Sequence, residues 1–193
     1  SHPDRPAERH DVGAGGVVAA AVLGVVSSAR ILSSGGVESL RLAWALPLGE
    51  LHVSVDALSA VFLLAVFGMF GLSAVYGIEY LAPYGGRKPL GVSWFFFNLL
   101  AASMVMVLVA RDAVLFLIAW ETMSLASFFL VAFENERAEV REAAWTYLVA
   151  THLGTAFLLV MFALLGRAAG CFDFDRFGEL KLLSGNMGSV LFI

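Results

Sequence analysis

Five runs of apolar residues, each near or above the length of a bilayer crossing, dominate this sequence: 13–32, 54–81, 93–110, 113–133 and 143–166. A helix rises about 1.5 Å per residue, so roughly 20 apolar residues cross a hydrocarbon core of about 30 Å. Runs this long exclude the strands of a lipid-embedded barrel, which need short alternating segments. The chain therefore reads as an all-α, polytopic transmembrane helix bundle with five spans. Composition agrees, since 60% of the 193 residues are hydrophobic, 15% are charged, and the mean hydropathy is +0.84. A soluble domain of this size needs more polar surface. The net charge of -4 and the lack of basic runs exclude nucleic acid as a partner. One cysteine, Cys171, excludes an internal disulfide, and the chain carries no zinc motif, nucleotide-binding glycine loop or catalytic triad.

The joints carry the polar signals. Residues 33–53 hold Gly35-Gly36, Pro47 and Gly49, which predict an irregular or β-hairpin connection. Residues 83–89 and Arg111-Asp112 read as turns, 134–142 as a short charged loop, and 167–188 as a longer loop with room for a surface helix. Asp56 is placed to cap the second span, Asn98 and Ser103 to bond between helices, and His52 to sit solvated in a loop. Gly13-Ala14-Gly15-Gly16 reads as a site of close helix packing. Trp44, Tyr80, Tyr84, Trp94 and Trp145 fall at segment ends, where the headgroup boundary or core packing suits them. The polar start (Asp4, Arg5, Glu8, Arg9 and Asp11) does not resemble a signal peptide, and a new apolar run opens at 190–193. Residues 1–193 are accordingly expected to be one transmembrane domain, a fragment of a longer chain.

The loops on the face of 1–12, 82–92 and 134–142 carry Arg5, Arg9, Arg87, Lys88, Arg137 and Arg141. The opposite loops carry Arg30, Arg41, Arg111, Arg167, Arg176 and Lys181. The counts tie, and the two short interior loops of the first face favour it as cytoplasmic.

An ionisable group near the centre of a bilayer costs several kcal/mol, and proteins that keep one there generally use it. Glu121 lies eight residues into the run 113–133, and Trp120, Met123 and Leu125 offer it no charge. Burial disfavours its ionised form, which equips it to take and release protons. Ser124 stands one turn on and Ser127 a further turn, so their hydroxyls are candidates for a water or proton relay. His152 lies near mid-depth in the fifth run, flanked by Thr151 and Thr155, and an imidazole can relay a proton through its two nitrogens. The competing reading of Glu121 and His152 is plain hydrogen bonding between helices.

The run Ala119-Trp120-Glu121-Thr122-Met123-Ser124-Leu125-Ala126-Ser127-Phe128-Phe129-Leu130 resembles the helix that carries the key glutamate in antiporter-like proton-translocating subunits. That family includes the large membrane subunits of respiratory complex I, the Mrp sodium/proton antiporters, and the membrane subunits of formate hydrogenlyase and energy-converting hydrogenases. Phe96-Phe97-Asn98-Leu99-Leu100-Ala101-Ala102-Ser103-Met104 with Ala110-Arg111-Asp112, and Val55-Asp56-Ala57-Leu58-Ser59-Ala60-Val61-Phe62, extend the likeness over residues 45–166. Tyr147-Leu148-Val149-Ala150-Thr151-His152-Leu153-Gly154-Thr155 is most similar to the hydrogenase branch; complex I subunits tend to carry Arg and Asp where His152 and Thr155 stand.

The resemblance implies a fold of about fourteen helices in inverted repeats, of which this chain supplies the second to sixth. It implies a prokaryotic inner-membrane location with residues 82–92 and 134–142 cytoplasmic. It also implies a lysine partner for Glu121 in a helix beyond Ile193. The chain would then be a non-redox subunit without a cofactor or metal, moving protons or sodium ions with energy from a soluble redox arm and alongside other membrane subunits. A structural membrane anchor and a stand-alone Mrp-type antiporter subunit are the alternatives.

Overall fold

The computed structural model describes residues 5–42, 51–84 and 88–177, with side chains from residue 15 onward. The charged groups of the first twelve residues, Trp44, Pro47, Gly49, Arg87, Lys181 and the apolar run at 190–193 lie outside this description. Five long helices are joined end to end: α1 Arg5–Ser34, α2 Ala57–Leu81, α3 Leu90–Val109, α4 Ala113–Val131 and α5 Ala138–Ala169. All five are long and apolar enough to cross a membrane, and the protein is a multi-pass membrane protein. Between α1 and α2 stands an antiparallel pair, β1 Glu38–Leu42 and β2 Leu51–Val55, in which Arg41 faces His52. The polar connection at 33–53 is thus a β-hairpin. A one-turn helix, α6 Phe174–Phe177, follows α5.

Several boundaries differ from the sequence expectation. Residues 54–55 belong to β2, and the second span starts at Ala57 because Asp56 caps it, its carboxylate accepting from the Ser59 amide at 2.8 Å. The third helix begins at Leu90, three residues early, directly after Pro89. Residues 138–142, expected in a loop, form the first turns of α5, so only 135–137 connect α4 and its terminal 3-10 turn to α5. Glutamates at a helix start suit the dipole there, which is why charge did not mark a loop.

Packing inside the bundle rests on small residues and aromatic rings. Val17, Phe70, Ala74 and Trp94 form a buried cluster that joins α1, α2 and α3. Trp94 meets Phe97 edge-on and belongs to this core, not to a headgroup belt. The close approach of α1 to α2 occurs at Gly24, where a Cβ would overlap the Phe67 ring; Gly15 and Gly16, expected to pack closely, have open space beside them. Asn98 and Ser103 also depart from expectation. They donate to the Trp94 and Leu100 carbonyls of their own helix. Gly170 ends α5 in the left-handed conformation, at φ 73°, donating its amide to the Gly166 carbonyl.

The polar joints gather at two opposite ends. At one end Tyr84 donates to Glu134 at 2.9 Å, and Lys88 reaches both the Phe133 carbonyl and Glu136. At the other end the Arg111 amide donates to the His52 carbonyl, the Phe174 amide to the Arg111 carbonyl, and the Ala113 amide to the Phe172 carbonyl. These bonds tie the hairpin, the α3–α4 turn and the segment after α5 into one polar cap. Arg111 also pairs with Asp56 at 2.6 Å. The Ser59 amide and then the Arg111 guanidinium hold the Asp56 carboxyl down at about 2, below its ordinary 3.8.

Candidate functional site: a carboxylate and an imidazole at mid-span

Glu121 is the ninth residue of α4, with eight helical residues before it and ten after. The Asp112 carboxylate fixes the start of that helix by accepting from the Val114 and Leu115 amides. At about 1.5 Å per residue, Glu121 therefore stands roughly 12 Å from one end of α4 and 15 Å from the other. His152 stands on α5, which runs back antiparallel. Its Nε2 lies 3.5 Å from Glu121 Oε2. The contact follows from depth alone: Glu121 is 15 residues before Glu136, and His152 is 16 after it. Equal distances from one tight turn bring two groups to the same level of adjacent helices.

The second imidazole nitrogen decides how the pair holds a proton. His152 Nδ1 lies 2.9 Å from the Leu148 carbonyl one turn back. A carbonyl only accepts, so Nδ1 carries a hydrogen and a neutral ring presents its lone pair on Nε2, toward Glu121. One proton then leaves the pair neutral overall, either as a carboxylic acid facing imidazole or as a carboxylate facing imidazolium. A low-dielectric setting tolerates that far better than an isolated charge. Moving the proton along the contact changes no net charge, while removing or adding one does.

The pair is not sealed by the described residues: the side chains of Glu121 and His152 are 32% and 48% exposed. Within a membrane this open side needs protein or water against it, because lipid chains cannot bond to it. Ser124 is buried and Ser127 half-buried, and no hydrogen bond joins either to Glu121 among the described residues. Thr151 and Thr155 donate to carbonyls of their own helix. Trp120, which precedes Glu121, stacks on Phe116 with 5.8 Å between ring centroids and has a buried indole nitrogen without a hydrogen-bond partner among the described residues.

Residues 110–193, which include α4, Glu121 and His152, match a family model described as NADH:quinone oxidoreductase/Mrp antiporter, TM. The chain is similar to antiporter-like membrane subunits. It is 30% identical over 172 residues to hydrogenase-4 component B of Escherichia coli, covering 89% of this chain and 25% of that protein. It is likewise 30% identical over 181 residues to NADH-quinone oxidoreductase subunit L of Mycobacterium tuberculosis, covering 89% of this chain and 26% of that one. Among solved structures, a chain of the Mrp complex from Dietzia sp. superposes with a TM-score of 0.78 and 25% identity, over 97% of this chain and 21% of that chain. The antiporter-like likeness read from 45–166 thus holds over almost the whole chain, which spans about a quarter of the length of these curated relatives.

His52 departs most from the sequence reading. It was expected to be solvated, yet it lies on β2 and is only 3% exposed. Alternation along a five-residue strand turns its side chain inward, a pattern too short to read in a loop of mixed composition.

Proposed function

We propose that this chain is the part of an antiporter-like, proton-translocating membrane subunit that holds the proton, on Glu121, with His152 as the group that exchanges it. The observation that carries the proposal is the 3.5 Å contact between Glu121 and His152 Nε2 at mid-span. A lone carboxylic acid in that position has no neighbour to pass its proton to. With a second titratable group at contact distance, the proton gains a place to go without separating charge. A cation approaching from outside the pair favours the carboxylate and expels the proton; its withdrawal lets the carboxylate take one up again. The antiporter-like family points to a lysine beyond Ile193 for that cation, and the open side of the pair is where it would arrive.

In this reading the subunit sits in a prokaryotic inner membrane among other membrane subunits of a larger complex. It binds no redox cofactor, and a soluble redox arm drives the switch at a distance. Protons or sodium ions are the cargo. The names of the hydrogenase and NADH-quinone oxidoreductase relatives support such a setting. A mere anchor has no use for a titratable pair at that depth.

Glu121→Gln removes the titrating group and keeps its shape. In sealed vesicles it should assemble and transfer electrons normally while proton uptake falls to background; full pumping by this variant would sink the assignment. The alternative is a cation/proton antiporter working without electron transfer, which the superposition on a chain of the Mrp complex does not favour over the first reading. Ion-driven proton flux in vesicles that lack any electron donor would select it.

A further inference from the structure

The polar cap at the hairpin end contains a cluster apart from the Glu121–His152 pair. His52, Asp173 and Asp175 bring one imidazole nitrogen and two carboxylate oxygens within 4.8 Å of one another. They come from segments some 120 residues apart in sequence, and backbone bonds fix their meeting. His52 pairs with Arg41 across the hairpin, its carbonyl accepts from the Arg111 amide, and Asp112 bridges to Asp173. The Asp175 amide donates to Asp173 Oδ1 at 2.9 Å, which orients the Asp173 carboxylate.

His52 supplies the independent sign of a ligand. Its Nδ1 is buried and has no hydrogen-bond partner among the described residues, although Asp173 Oδ2 lies 3.4 Å away. A buried ring nitrogen left without a hydrogen bond is costly unless something binds it. The two carboxylates carry two negative charges, which a divalent ion would balance. The guanidinium of Arg41 stands at the mouth, with Nη2 3.1 Å from Asp173 Oδ2 and 3.5 Å from Asp175 Oδ2. It occupies the cationic position with only one positive charge. Its side chain is half exposed.

We propose that His52, Asp173 and Asp175 form a divalent-cation site of the zinc type, in which the ion displaces Arg41. One nitrogen and two oxygens suit a borderline metal such as zinc, with water completing a tetrahedron. The bound ion would pin the hairpin to the segment that follows α5. Its membrane face is the one opposite Lys88 and Glu136.

The full-length chain, purified with the subunits that accompany it and stripped by a chelator, is dialysed against zinc alone, and bound metal is counted. One zinc per chain is expected. Asp175→Asn, an exposed change that leaves the scaffold intact, should weaken uptake by at least about tenfold, and His52→Ala should abolish it. Arg41→Gln should tighten uptake, because it removes the competitor. Absent uptake, uptake unchanged by Asp175→Asn, or uptake not tightened by Arg41→Gln would each overturn the site.

Discussion

Replacing His152 with Leu isolates what the imidazole adds to Glu121. The variant keeps a side chain of fitting size on α5 and removes both ring nitrogens. Two unit charges 3.5 Å apart interact by about 5 kcal/mol at an effective dielectric near 20, and by about 1 kcal/mol in a water-like setting. The open side of the pair places the coupling between these limits, and each 1.4 kcal/mol is about tenfold in an equilibrium. The neutral acid–base form of the contact contributes less, about 1 kcal/mol, as a hydrogen bond. Proton transfer in sealed vesicles, followed by a pH-sensitive dye, should therefore slow by about tenfold or more in His152→Leu. His152→Gln, which bonds without titrating, should be nearly as slow. Complex assembly and electron transfer at saturating donor should be unchanged in both. Wild-type proton flux in His152→Leu would show that the imidazole is a packing group and that the contact carries no proton.

Three further outcomes test the scaffold. Asp56 sits at about 2 in the folded chain against an ordinary 3.8. A depressed folded value stabilises above pH 3.8 and the gain disappears as pH falls toward 2; with a third of the side chain exposed, the contribution is about 1 kcal/mol. The thermal stability of Asp56→Asn should thus trail wild type at pH 6 and match it near pH 2. Gly24→Ala pushes a methyl into the Phe67 ring and should cost about 1–3 kcal/mol in a denaturation series in mild detergent, whereas Gly16→Ala, in open space, should cost nothing measurable. Lys88→Ala removes the cation that holds the Glu136 carboxyl below its usual range and that bonds the Phe133 carbonyl. Protease cleavage at 135–137 should accelerate in that variant.

The spans were legible because lipid imposes a length and a composition that chance does not produce, and Glu121 was legible because a carboxylate in such a run is rare. The hairpin was legible only as one option, since Pro47 and Gly49 mark a turn without fixing a register. The contact between Glu121 and His152 was not read from the chain. His152 was singled out for its own depth, and its meeting with Glu121 needed the α4–α5 connection to be tight. The charges at 138–142 obscured that by reading as loop. Polar residues misled wherever they bond locally: Asn98 and Ser103 satisfy their own helix, and composition cannot tell that from a bond to a neighbour. His52 was missed because burial at the polar cap is made by segments distant in sequence.

The central claim is that the translocated proton resides on Glu121 during turnover. Infrared difference spectroscopy of the working complex reads this directly, through the carbonyl stretch of a protonated carboxyl group. The account predicts a band that appears and disappears with turnover, shifts in His152→Leu and vanishes in Glu121→Gln. A difference spectrum identical in wild type and Glu121→Gln would contradict it.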